Sequence, residues 1–90
     1  MSNGSSTLTV TPEVVSAGDP ITITINNPTM GGQTATVEVD NGDGDTETVE
    51  IQLDEHGKGS KQWTVPDSGW TVVNVNMVGE SEITVIVEGG

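Results

Sequence analysis

The chain lacks the side chains on which most enzyme and zinc chemistry depends. It contains no Cys, Phe or Tyr, and its two basic residues are both Lys, so there is no Arg either. Without Cys there is no disulfide, no thiolate zinc site and no thiol nucleophile. The one histidine, His56, lies in a polar turn beside Gly57, where the sequence offers nothing to hold it against a nucleophile as a catalytic base requires. The sequence therefore predicts a protein that is not an enzyme and that needs no organic cofactor.

Positive charge is also scarce. Lys58 and Lys61 stand against fourteen acidic residues, and the formal net charge is −12. Because proteins bind nucleic acid largely by neutralising phosphates with Lys and Arg, this surface would repel DNA, RNA and anionic lipid. No apolar stretch approaches the roughly 20 residues of a membrane-spanning helix. We therefore expect a protein partner or self-assembly, and neither nucleic acid nor a membrane.

The first six residues have little to fold with. Residues 1–6 are polar and show neither the basic start nor the apolar run of a signal peptide, so we expect a flexible tail. Two origins fit this pattern equally. We expect either a domain cut from a longer secreted protein or a protein that assembles from the cytosol, as virion components do.

What the remainder does contain is alternation of apolar and polar residues, as in Ile21-Thr22-Ile23-Thr24-Ile25. Successive side chains of a strand point to opposite faces, so a period of two predicts half-buried β-strands. The predicted strands are 7–11, 21–26, 34–40, 46–53, 60–65, 70–77 and 82–88. Seven short strands separated by turn residues predict one all-β domain over 7–88, an antiparallel sandwich with Greek-key connections, with a small barrel as the alternative.

Two positions interrupt this simple pattern. Pro12 cannot donate to a β-ladder, so the first strand either lies at an edge or changes sheet there. In the sixth predicted strand, Trp70 and Val72 share one face while Val73 shares the other with Val75 and Met77. That slip predicts a β-bulge, or a strand that is buried on both faces.

Several segments resemble a known superfamily. The stretch 8–12 followed by 17–25 is similar to the opening of bacterial and phage immunoglobulin-like domains. Gly42-Asp43-Gly44, followed by 63–66 and 69–72, is similar to the polycystic-kidney-disease-type branch, although Trp70 stands where that branch usually has Tyr. The resemblance implies an immunoglobulin-like β-sandwich that serves display, spacing or adhesion, and it carries over no catalytic residue.

The turn from Asp40 to Asp45 is the candidate metal site. Asp40, Asp43 and Asp45, with loop carbonyls, offer the hard oxygen ligands that Ca²⁺ prefers. The segment lacks the closing bidentate Glu of an EF-hand loop. Calcium is therefore one prediction, and a solvated hairpin tip whose Asp and Asn residues serve turn geometry is the other.

The two Trp residues supply all the aromatic volume. Exposed, Trp63 and Trp70 could stack on sugar rings or anchor a partner. A domain of 90 residues has a thin core, however, and each Trp can bury on the order of 200 Å². We expect both to lie in the core.

The last predicted strand is the candidate interface. Ile83, Thr84, Val85, Ile86 and Val87 form a strongly β-prone run without charge. An uncharged edge strand can pair with a partner strand through main-chain hydrogen bonds. We therefore expect this strand to be an edge, and assembly to run through it.

Together these features favour a structural module displayed on the surface of a larger assembly. A virion decoration protein of the capsid-cement type is the favoured interpretation, which places the chain on a virion surface. One repeat of a bacterial cell-surface adhesin, extracellular and possibly calcium-binding, is the first alternative. An engineered binding scaffold with variable loops is the second.

Overall fold

Every regular element of the chain except one 3₁₀ turn is a β-strand, within the part that the structure describes. The computed structural model describes residues 6–67, 69–77 and 82–88. The strands are β1 (Thr7–Thr11), β2 (Val14–Ser16), β3 (Pro20–Asn26), β4 (Thr34–Asp40), β5 (Thr46–Gln52), β6 (Lys58–Thr64), β7 (Val72–Asn76) and β8 (Ile83–Glu88), and the 3₁₀ turn is Pro28–Met30. The predicted all-β class is confirmed. Of the predicted tail, residues 1–5 lie outside the described residues.

The strands form two sheets, consistent with a β-sandwich. One sheet has three strands in the order β1-β3-β6, and the other has five in the order β2-β8-β7-β4-β5. Every pairing is antiparallel except that of β2 with β8, which is parallel. The expectation of a wholly antiparallel sheet is therefore wrong at one pair. The strand responsible, β2, has three residues and is too short to show a period of two.

The chain changes sheet at Pro12, as its missing N–H led us to expect. β1 belongs to the three-stranded sheet and β2 to the five-stranded sheet, with Pro12 and Glu13 between them. The carbonyl of Glu13 is already in the second sheet, because it accepts a hydrogen bond of 3.0 Å from the N–H of Ile86.

The core lies between the inner faces of the two sheets. Ile21, Ile23 and Ile25 of β3 are fully buried, and alternate residues of the other strands face them. Trp63 and Trp70 are 9% and 4% exposed, with ring centroids 5.0 Å apart and planes inclined by 57°. The indole N–H of Trp63 donates to a carboxylate oxygen of Glu47 at 3.3 Å. The prediction that both Trp residues lie in the core is confirmed.

The parity slip before Val73 has a simple cause. β7 begins at Val72, so Trp70 is not part of the strand. The register with β8 then runs without interruption, and Val73 and Val75 are buried while Val72 is half-buried on the outer face. The predicted β-bulge is wrong, because Trp70 reaches the core from the turn that precedes β7. In that turn the backbone N–H of Trp70 donates to the carbonyl of Asp67 at 3.1 Å.

The strand directions place the loops in two groups at opposite ends of the sandwich. Loops 27–33 and 53–57 lie at one end, which we call the Asn27 end, and turns 17–19, 41–45 and the corner before β7 lie at the other, the Asn41 end. β1 starts at the Asn27 end and β8 finishes at the Asn41 end. The molecule measures 44 × 20 × 19 Å.

Candidate functional site

The acidic turn between β4 and β5 is built around a buried amide. Asn41 is 5% exposed, and its side-chain oxygen accepts hydrogen bonds from the N–H groups of Asp43 at 2.8 Å and Asp45 at 3.2 Å. Its side-chain NH₂ donates to the carboxylate of Asp45 at 3.1 Å. Gly42 and Gly44 have φ values of 79° and 107°, which let the chain close around Asn41. The turn therefore has its own internal hydrogen-bond network.

Asp40 is part of a row of hydrogen bonds that crosses three strands. Its Oδ1 accepts from the N–H of Gly42 at 3.0 Å and from the side-chain amide of Asn74 on β7 at 2.9 Å. The amide oxygen of Asn74 accepts in turn from the hydroxyl of Thr84 on β8 at 2.9 Å. These side chains tie β4, β7 and β8 together on the outer face of the five-stranded sheet.

The three predicted calcium ligands do not converge in this structure. Among the described residues, which include Asp40, Asp43 and Asp45, no group of three or more acidic, His or Cys side chains is placed to hold a metal ion. Ca²⁺ takes six to eight oxygens. Here oxygens of Asp40 and Asp45 accept hydrogen bonds from neighbouring protein groups instead. The arrangement fits the solvated turn better than a cation site, and calcium binding stays a prediction for experiment.

The turn at the Asn27 end has one electrostatically distinct carboxylate. Asp54 Oδ1 accepts hydrogen bonds from the N–H of Lys58 at 3.0 Å and of His56 at 2.8 Å. These bonds favour the ionised form and lower the pKa of Asp54 below its ordinary 3.8. His56 itself is exposed and lies 3.5 Å from a carboxylate oxygen of Glu55, which is exposed as well. The geometry gives these groups a role in closing the turn.

The two loops of the Asn27 end are joined by main-chain hydrogen bonds. The N–H of Asn27 donates to the carbonyl of Gly57 at 2.8 Å, and the N–H of Gly32 donates to that of Asp54 at 2.8 Å. The N–H of Leu53 donates to the carbonyl of Gln33 at 2.9 Å. These bonds fix loop 27–33 against loop 53–57.

The predicted docking strand, β8, is not an edge strand. It pairs with β7 through Ile83–Ile86 on one side and with β2 through Ile86–Glu88 on the other, so the prediction of an edge is wrong. Of the five predicted interface residues, Val85 and Val87 are buried, Ile83 is half-buried, and Thr84 and Ile86 are exposed. Beside the half of β8 that β2 does not cover lies a groove of about 530 Å³. It is lined by Leu8, Thr9, Val10, Thr11, Glu13, Ile83 and Thr84.

A short row of apolar side chains lies on the outer face of the five-stranded sheet. Val14 and Ile86 are each 48% exposed, and they are register partners on β2 and β8. Val72 on β7 is the partner of Ile86 on its other side and is half-buried. We call Val14, Ile86 and Val72 the apolar row. Sequence reasoning included Ile86 in the candidate interface but missed Val14, because β2 was not recognised as a strand.

Comparison with protein-family models, with curated proteins and with solved structures gave no match to this chain. Within the described ranges there is no helix long and apolar enough to cross a membrane.

Proposed function

We propose that the protein is a non-enzymatic structural module that is displayed on the surface of a larger assembly and docks there on another protein. The observation that supports this most is the position of the two chain ends. β1 starts at the Asn27 end and β8 finishes at the Asn41 end of a molecule 44 Å long. A module with this layout can be attached at one end and present its loops at the other.

The strand order supports an immunoglobulin-like sandwich of Greek-key topology as the finer description of the fold. In the immunoglobulin fold, strands A, B and E share one sheet, and strands C, F and G share the other. Assigning β1, β3 and β6 to A, B and E, and β4, β7 and β8 to C, F and G, reproduces that partition. β5 then corresponds to the additional strand beside C. This agreement is independent of the turn residues on which the resemblance rests.

The chemistry of the surface supports a non-catalytic role. The single imidazole, His56, has a side chain 72% exposed and lies 3.5 Å from the exposed carboxylate of Glu55. A general base must be held within hydrogen-bonding reach of the proton that it removes. The acidic surface, with a formal charge of −12, also suits a protein partner rather than nucleic acid or an anionic membrane.

Two assemblies fit this role, a virion that carries the chain as a decoration protein and a cell surface that carries it as one repeat of an adhesin. The opposite positions of the two chain ends favour the repeat, because modules joined end to end need the chain to enter at one end and leave at the other. A decoration protein needs only one attached surface.

Density-gradient fractionation of the native source, followed with an antibody against the domain, tests the proposal. We expect the protein to sediment with virus-sized particles if it is a decoration protein, and with the cell envelope if it is an adhesin repeat. Recovery of all the protein at the top of the gradient, in both the particle and the envelope preparations, would contradict a role on a larger assembly.

A further inference from the structure

We propose that the apolar row, together with the free edge of β2, binds an extended segment of another protein that carries alternating apolar and basic residues. This inference rests on the proposed function, since it names the surface through which the module docks and the chemistry of its partner.

The first observation is the exposure of the row. Val14 and Ile86 are the large hydrophobic residues that are exposed in the described part of the chain, and they lie side by side on neighbouring strands. Single exposed apolar residues are ordinary, whereas neighbouring ones form a small apolar patch that can anchor a partner. Val72 extends the same row onto β7.

The second observation is the sheet edge beside the row. β2 is the terminal strand of the five-stranded sheet. The carbonyl of Glu13 accepts a hydrogen bond from Ile86, so the alternation of backbone groups along β2 turns the N–H and C=O of Val14 away from β8. Those groups can form a ladder with an added strand. β2 therefore offers main-chain hydrogen bonds and an apolar side chain at the same position.

The third observation, charge, decides which strand fits. None of the five strands of this sheet contains a basic residue, and both lysines lie on β6 of the other sheet. The carboxylates beside the row are instead exposed acids: Glu13, directly before Val14, and Glu88, the register partner of Ser16 on β8. A segment with Lys or Arg between its apolar residues would meet these acids favourably. A second copy of the chain would bring an equally acidic face, so we do not expect it as the occupant.

A peptide titration followed by NMR tests the proposal. The probe is a capped Lys-Val-Lys-Val-Lys peptide, and its control has Glu in place of each Lys. We expect the basic peptide to shift the amide signals of β2 and of 86–88, and the acidic peptide to leave them unchanged. No shift with the basic peptide, or equal shifts with both peptides, would overturn the proposal.

Two variants with the same charge change locate the surface. Val14→Lys places a cation within the apolar row, and Thr48→Lys places one on β5 at the opposite edge of the same sheet, where Thr48 is exposed. We expect Val14→Lys to weaken binding of the basic peptide by about tenfold or more, as loss of an interface anchor does, and Thr48→Lys to change it by less than about twofold. Equal effects would show that general charge, and not the apolar row, governs binding.

Two further measurements separate this inference from the proposed function. Sedimentation equilibrium of the protein alone should show a monomer. A dimer that Val14→Lys abolishes would make a second copy the occupant and overturn the inference. In the gradient of virus-sized particles, where a decoration protein is held by docking alone and not by a covalent link to further repeats, Val14→Lys should lose the association that the wild-type protein shows. If the variant sediments as the wild type does, the docking surface is wrong while the structural role stands. If the wild type itself fails to associate, the proposed function fails.

Discussion

At the scale of single residues, Trp63 is one of the two largest side chains of the core. It is 9% exposed and meets Trp70, and the chain has no Phe or Tyr to replace either ring. We expect Trp63→Ala to lower the free energy of unfolding by about 3–5 kcal/mol, as truncation of a core aromatic residue does. Urea denaturation measures this loss. Gln62→Ala, at the exposed neighbouring position, should change stability by no more than about 0.5 kcal/mol. A loss below about 1 kcal/mol for Trp63→Ala would contradict its place in the core.

The lowered pKa of Asp54 predicts how the stability of the fold depends on pH. The hydrogen bonds from Lys58 and His56 lower the pKa of Asp54 in the folded protein. The resulting stabilisation is fully present above the unfolded pKa and is lost as the pH falls through the folded pKa. Asp54→Asn keeps an acceptor oxygen but not the charge. The variant should therefore be less stable than the wild type near neutral pH, and the difference should shrink as the pH falls below 3.8 and through the folded pKa of Asp54.

Thermal melts of the wild type and Asp54→Asn across this pH range measure the effect, and carboxyl NMR titration gives the pKa directly. A difference in stability that stays constant into acid would show that the charge of Asp54 contributes nothing. So would a titration of Asp54 at or above 3.8.

Asn41 shows what sequence reasoning misses at this scale. The acidic turn was recognised from its Asp and Gly residues, but its centre is an uncharged amide that bonds to Asp43 and Asp45. Asn before Gly is common in turns for its backbone conformation alone, so its sequence position does not reveal that the side chain is buried. The sequence alone offers these aspartates either as calcium ligands or as residues of a solvated turn. Asp40 accepts hydrogen bonds from Gly42, two residues away, and from Asn74, 34 residues away, and no local pattern indicates the second partner.

At the scale of elements, the backbones of loops 27–33 and 53–57 approach each other closely at the Asn27 end, and glycine substitutions can test this contact. Gly57 has φ +81°, and a Cβ there would collide with the carbonyl oxygen of Asn27. Gly32 has a similar φ, +77°, but nothing lies within 4 Å of the place where its Cβ would be. Gly32→Ala should therefore cost only the backbone strain, about 1–2 kcal/mol. Gly57→Ala should cost that amount plus the separation of the two loops.

Chemical denaturation of both alanine variants measures the difference between them. We expect Gly57→Ala to be clearly the less stable of the two variants. The backbone amide of Asn27 should also exchange with solvent faster in Gly57→Ala than in Gly32→Ala. Equal losses of stability would mean that the loops can separate at no cost, which would contradict their rigid contact.

Most strands were predictable because they are long enough to show their period. β1, β3, β4, β5 and β6 lie within one or two residues of the predicted ranges at each end. β2 was not predictable, because its three residues include only one buried side chain, Val15. Because β2 is missing from the predicted strands, the position of β8 in its sheet is predicted wrongly. Without β2, β8 is an edge strand, and with it β8 lies inside the sheet.

At the scale of the whole molecule, the response to divalent cations distinguishes a bound ion from a screened surface. A protein with a formal charge of −12 is stabilised by any cation that reduces self-repulsion. A true Ca²⁺ site would add a larger shift, because a ligand that binds only the folded state raises stability by mass action, and Mg²⁺ would reproduce it less well. Since Asp40 and Asp45 bond within the protein, we expect equal melting temperatures in CaCl₂ and MgCl₂ of the same concentration.

Differential scanning calorimetry in the two salts measures the melting temperatures. Asp43→Asn, which removes the carboxylate of the third predicted ligand, serves as the matched variant. A higher melting temperature in CaCl₂ than in MgCl₂ that this variant removes would establish the calcium site.

The parallel pairing of β2 with β8 has a mechanical consequence. β2 follows the strand that starts the fold at the Asn27 end, and β8 finishes at the Asn41 end. Tension applied between the two chain ends draws β2 and β8 in opposite directions along their common axis. Their hydrogen bonds then bear the load together, in shear, instead of opening one after another as in a zipper. Single-molecule pulling tests this: the domain should withstand more force when stretched along its long axis than when it is pulled across its strands.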